Sequence, residues 1–137
     1  MTTPTNIKRF KIKDTWKDYE VTLEVNLDRL NTERAQLINS FWTGAEDRQD
    51  EEDDNVVRAV IRMAGQEVMC ELLGDRGADF DDSDHWYCQR TTKELHNREG
   101  WGGEIEGDAF GWCGIRVIGA DVQLPTFEEV AMTEIAG

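Results

Sequence analysis

The sequence predicts an α+β domain, an antiparallel sheet made of an N-terminal hairpin plus a C-terminal strand and covered on one face by two main helices. Three observations carry this. Apolar residues alternate at period two between residues 7 and 27, recur at three- and four-residue spacing between 57 and 72, and alternate again from Ile115. The length of 137 residues suits one domain over 1–137, large enough to bury a core without disulfides or metal.

Residues 1–6 are small and polar and are expected to fray. From Ile7 to Lys13 the pattern alternates, with Phe10 and Ile12 on one side and Lys11 and Lys13 on the other. Tyr19, Val21, Leu23, Val25 and Leu27 then repeat around Glu20, Thr22, Glu24 and Asn26, the mark of a half-buried strand. The run Asp14–Asp18 between them suits a hairpin, which sets Lys11 and Lys13 near Glu20 and Glu24. Such cross-strand pairs contribute about 0.2–1 kcal/mol each.

After Asp28 the period turns helical. Leu30, Leu37, Ile38, Phe41 and Trp42 share a face, Thr32 is placed to cap the start, and Gly44 stands where a terminal glycine belongs. Asn55 caps a second helix through Val57, Val60, Ile61, Ala64, Val68 and Leu72, ending near Gly74, with Gly65 inside it costing about 1 kcal/mol relative to Ala. Acidic loops are expected over 44–55 and 75–84. Ser83 opens a short polar helix through Leu95. Six glycines between 100 and 114 predict an irregular hairpin or long loop, built on the echoing tetrads Gly100–Gly103 and Gly111–Gly114. Ile115, Val117, Val122 and Leu124 form a last strand with Gly119 as a bulge, and Pro125 and Thr126 open a terminal helix containing Phe127, Val130 and Ile135.

Charge narrows the function classes. Fifteen basic residues stand against 29 acidic ones, a net charge of −14. Residues 1–30 are nearly neutral, so the excess begins after the first two strands. Such a field repels nucleic acid and anionic membrane and attracts basic surfaces. Cys70, Cys88 and Cys113 are odd in number and far apart, and no apolar leader precedes them, so a reduced, cytoplasmic protein is expected. No run reaches the roughly 18 apolar residues of a membrane span.

The acidic runs fail the EF-hand pattern: counting from Asp50, the sixth and twelfth positions are Asn55 and Ile61, and from Asp79 they are Asp84 and Arg90. His85, Cys88 and His96, with Cys113, are the one grouping of metal-ligand types, but they lack the two short ligand pairs of a structural zinc site. A surface histidine beside a buried cysteine is the plainer reading. GxSxG, Walker, HExxH and dinucleotide motifs do not occur. No cofactor is expected.

Trp42 lies on the apolar face of the first helix, whereas Trp16, Trp101 and Trp112 fall in turn-like stretches. An exposed tryptophan beside carboxylates is what a hot spot for an arginine-rich partner looks like, although the plainer reading of each is a lid on the end of the sheet. If the run at 46–54 is helical, Asp47, Asp50, Glu51 and Asp54 line one side. A rigid array of this kind can occupy the Lys and Arg groups that would hold a nucleic acid; a merely solvated, solubilising face weighs equally.

The segment Phe41-Trp42-Thr43-Gly44-Ala45-Glu46-Asp47-Arg48, preceded by the hairpin strand Tyr19–Leu27 and followed by Asp53 and an amphipathic helix, resembles a family of small acidic bacterial proteins, found also on plasmids and phages and classified only as a domain of unknown function. The resemblance covers residues 18–73 and leaves 100–114 unmatched. It implies a mobile-element setting and transfers no catalytic residue.

The expected function is therefore non-enzymatic: binding of a basic protein surface on a nucleic-acid-handling host or phage complex, with no direct nucleic acid and no membrane. Its sharper form is a DNA-mimic inhibitor of a defence system, of anti-CRISPR or anti-restriction type. The expected contact residues are Glu46, Asp47, Asp50, Glu51, Glu52, Asp53, Asp54, Asp79, Asp81, Asp82, Asp84, Trp101 and Trp112. The alternative is a small metal- or cysteine-dependent enzyme using His85, Cys88 and His96.

Overall fold

The computed structural model describes residues 6–136; of the stretch 1–6 expected to fray, 1–5 lie outside them and the Asn6 carbonyl accepts from Leu27 N–H at 2.9 Å. Strands β1 (Ile7–Lys13) and β2 (Glu20–Asn26) form the hairpin, with Lys13 opposite Glu20 and Phe10 opposite Leu23. β4 (Ile115–Val122) pairs antiparallel with β2, and the short β3 (Ala78–Phe80) closes the far edge, giving the order β1-β2-β4-β3. Leu23 faces Val117 while Thr22 faces Gly119, so the bulge falls at Ile118–Gly119.

The helices are α1 (Thr32–Asn39), α2 (Ala45–Glu51), α3 (Val56–Gly74) and α4 (His85–His96). α3 lies across the sheet and buries Val60, Ala64, Val68 and Leu72 against Val21, Leu23, Val25 and Val117. Gly65 marks its closest approach. A Cβ there would stand 2.5 Å from Cβ of Ile12, so the glycine that weakens the helix is what lets β1 pack on it.

Several local expectations are corrected. The 44–55 run is not a loop: residues 45–51 are helical, and Asn55 caps α3 by accepting from Arg58 N–H. Within 75–84, Ala78–Phe80 pairs with β4, a three-residue strand too short for a periodicity signal. Asn31, not Thr32, caps α1, and Asp84, not Ser83, caps α4, because each carboxyl or amide oxygen reaches the amide three residues on. Leu37 and Phe41 are 61 % and 51 % exposed, since α1 is only eight residues long and turns only Ala35 and Ile38 among its apolar residues fully inward. In place of a terminal helix there is one 3₁₀ turn, Phe127–Glu129, after which Val130 is extended and residues 130–136 are exposed without regular secondary structure.

Candidate functional site

The acidic run contributes nothing to the core. α2 has no buried residue, and a seven-residue helix is far below the roughly 12–15 residues that stand alone. Its order comes from one side chain. Arg48 donates from Nε to Oδ1 of Asn39 (2.8 Å), from Nη1 to the Thr43 carbonyl (2.7 Å), and from Nη2 to the carbonyls of Asn39 (2.9 Å) and Trp42 (3.2 Å). Asn39 is itself buried, and its amide donates to the Ala45 carbonyl at 3.0 Å. The guanidinium thus ties the end of α1 to α2 through the planar fork that lysine lacks.

The far end is tied by charge. Glu52 accepts from Arg58 (3.3 Å) and Arg62 (3.0 Å), and Glu51 pairs with Arg62 at 3.4 Å. Asp53 and Asp54 close the turn at φ 56° and 65°, the left-handed region that Asp tolerates better than most residues, with Asp54 N–H donating to the Gln49 carbonyl at 2.9 Å. Of the seven expected contact carboxylates here, two are therefore engaged. Glu46, Asp47, Asp50, Asp53 and Asp54 are exposed and make no ion pair among the described residues.

The second group of carboxylates is separate. Asp81 accepts from Ser83 N–H and hydroxyl, which hold its carboxyl below the ordinary range, and Asp84 caps α4. Asp82 stands 3.8 Å from Arg9. Asp79 faces Asp121 directly, and Asp121 faces Glu20, so three carboxylates sit side by side on the open face of the sheet. Glu20 and Asp121 belong to this patch through strand register, which a list of acidic runs cannot show. α2 packs beside α3 on the covered face, so the two acidic groups do not merge into one surface.

Trp101 is removed from the contact set, because it is 0 % exposed and packs against Trp42 at a ring separation of 5.7 Å. Its Nε1–H has no partner among the described residues. Trp112 is half-buried, and its ring is already covered by the Arg34 guanidinium at 4.7 Å, so its cation–π contact is internal.

His85, Cys88 and His96 share α4 without converging. His85 is exposed, whereas Cys88 and His96 are buried and lie eight residues apart, about 12 Å along the axis. Cys88 Sγ lies 3.4 Å from the Asp81 carbonyl. His96 Nε2 is 2.6 Å from the Ile115 carbonyl, so that nitrogen carries the proton. Thr92, one turn earlier, accepts from Val117 N–H at 2.8 Å. β3 covers only Ala120–Val122 of β4, and Thr92 and His96 satisfy the peptide groups left open beyond it. Gly111, at φ +64°, exists for the same packing: a Cβ there would meet the His96 ring at 2.6 Å. Burial raises both buried thiols, Cys113 to about 11, which opposes the thiolate that nucleophilic chemistry needs.

Among the described residues, Glu71, Asp75 and Glu94 are the one group of three potential ligands in metal-binding proximity. Glu71 is paired with Arg98, which also reaches Glu67 at 3.2 Å. No helix among the described residues is long and apolar enough to cross a membrane.

A family model described as a protein of unknown function, DUF2528, matches residues 20–132, which takes in the glycine-rich segment 100–114 and most of the C-terminal tail. No curated protein and no solved structure shows a significant match.

Proposed function

Because the chain belongs to the DUF2528 family, whose description carries no activity, its function rests on its surface, and we propose that it is a non-enzymatic acidic interaction protein whose binding face is α2 with its following turn. The observation that supports this is a helix of no use to the core, held rigid by Arg48 at one end and by Glu52 with Arg58 and Arg62 at the other. A solubilising surface has no need of such fixing. On α2, Glu46 to Asp50 spans roughly 6 Å at 1.5 Å per residue, so its three free carboxylates fall about every 3 Å, and Asp53 and Asp54 follow in the turn. That density is comparable to the one charge per about 1.7 Å of duplex DNA.

The partner is accordingly a basic protein surface that otherwise holds nucleic acid. Leu37 and Phe41, exposed at the end of α1, supply an apolar anchor next to the array. In a mobile-element setting the sharper form is inhibition of a defence complex by DNA mimicry.

The test is affinity capture from host lysate with a salt-gradient elution, comparing the native chain with one carrying Glu46→Gln, Asp47→Asn, Asp50→Asn, Asp53→Asn and Asp54→Asn. Capture of a basic nucleic-acid-binding protein that elutes with salt and is lost in the variant is expected. Capture that survives the five changes, or that does not respond to salt, would sink the proposal.

A further inference from the structure

β1 is an edge strand with four cations, Lys8, Arg9, Lys11 and Lys13, and no acid, in a chain of net charge −14. Lysines on an edge usually keep other edges away. They would attract an acidic strand. Between β1 and α3 lie two adjoining grooves of about 220 and 440 Å³ that share Ile12, Lys13 and Arg62, with Phe10 and Ile61 at one end and Met63 and Met69 at the other. The edge therefore has unfilled apolar space on its covered side, with Lys8 at the far end of that side, and Arg9, Lys11 and Lys13 on its open side.

The C-terminal tail has the complementary features. Phe127 and Met132 are 88 % and 97 % exposed, Val130 and Ile135 are exposed as well, and Glu128, Glu129 and Glu134 are its charged groups, with no cation among them. Val130 already has extended geometry, φ −109° and ψ 143°. The family match runs through residue 132, so Val130 and Met132 belong to the shared sequence.

We propose that residues 130–135 of one copy add to β1 of a second copy as a fifth, antiparallel strand, reciprocally, giving a two-fold dimer. One register makes the chemistry agree along its length. It sets Val130 opposite Ile12, Met132 opposite Phe10, Glu134 opposite Lys8 and Ile135 opposite Ile7. Val130 and Met132, two residues apart, then enter the groove beside Ile12 and Phe10, and Glu134 meets Lys8. Lys8 makes no ion pair among the described residues and is free to take one.

The occupant is a second copy because the chain's own tail leaves β1 uncovered: Phe127 and Met132 stand almost fully exposed, and Val122, where the tail departs, lies two strands from β1, so a strand beyond β1 is three spacings, about 14 Å, away. Two tails, each laying a six-residue strand on β1 and two apolar side chains, Val130 and Met132, in the groove, make an interface at the small end of the stable range, so the dimer should depend on concentration.

The test is sedimentation velocity on the full chain from 5 to 200 µM. A dimer is expected, and a chain ending at residue 125 is expected to be monomeric with unchanged circular dichroism. Lys8→Glu and Glu134→Lys should each weaken dimerisation at least fivefold, and the two together in one chain should restore it to within about twofold. A monomer at 200 µM, a dimer indifferent to loss of the tail, or a double variant no better than the singles overturns the proposal.

Discussion

Arg48→Met keeps the aliphatic stem and removes the guanidinium fork. Four hydrogen bonds are lost, but they are not equivalent. The Thr43 and Trp42 carbonyls lie in an exposed or half-exposed turn and can bond to water instead. Asn39 is 2 % exposed, so its side-chain oxygen and its carbonyl are left buried without that donor. An orphaned buried acceptor costs about 1–3 kcal/mol, and the two share one donor and do not add fully, so a loss of about 2–4 kcal/mol is expected. That is a large part of the roughly 5–15 kcal/mol of a domain this size. Urea unfolding followed by tryptophan fluorescence measures it, and amide exchange shows where it is felt: residues 46–51 should lose protection while α3 keeps it. Arg48→Lys, a point charge that reaches one or two of the acceptors, should fall between. A change below about 0.5 kcal/mol with unaltered exchange would mean that α2 is held by something other than the clamp.

Three further outcomes follow from the geometry. Gly65→Ala gains about 1 kcal/mol of helix propensity but drives a methyl into Ile12, where overpacking costs about 1–3 kcal/mol, so the urea midpoint should fall rather than rise. Asp121→Asn relieves repulsion from Asp79 and Glu20 and should stabilise by about 0.2–1 kcal/mol at low salt, a gain that disappears in 1 M salt. Burial pushes the Asp108 carboxyl up, but the Phe110 N–H and the Arg29 guanidinium outweigh it and hold it below the usual value of 3.8. A lowered folded-state pKa gives stability that is present above the unfolded value and lost as pH falls through the folded one. Asp108→Asn should therefore lower the urea midpoint at pH 7, and the gap to the native chain should close below about pH 4.

The strands and the long helix were legible because burial on one face imposes a period, and Val21 to Val25 and Val60 to Leu72 carry it without interruption. The hairpin register followed as well, though Lys11 and Lys13 both pair with Glu20 while Glu24 takes Arg9 and Arg116. What escaped was short or depended on partners distant in sequence. α2 has no apolar stripe, because its order comes from Arg48 reaching back to Asn39, and no window of residues shows that. Trp101 reads as a turn residue from its glycine neighbours, yet the turn passes through the core. His85 is the exposed histidine beside the buried Cys88, whereas His96 is buried to close a strand edge that β3 leaves open, a partnership with distant residues that its neighbours do not show.

The two proposed surfaces adjoin. Arg62 lines the groove beside β1 and also holds Glu51 and Glu52 at the end of the acidic run, so a tail strand docked on β1 would lie next to the base of the array. A two-fold dimer then carries two arrays at fixed separation, and a partner with two basic sites would gain from engaging both, because the second contact forms at high effective concentration. The dependence runs in one direction only. The array is built entirely within one chain, so a tail-deleted monomer should still bind, with lower affinity and one-to-one stoichiometry. The five-carboxylate variant should lose the partner yet dimerise at least as well, since removing ten negative charges from a pair of acidic chains reduces their repulsion. Each variant thus leaves the other property measurable, and a tail-deleted chain with no affinity at all would show that the array is not the binding face by itself.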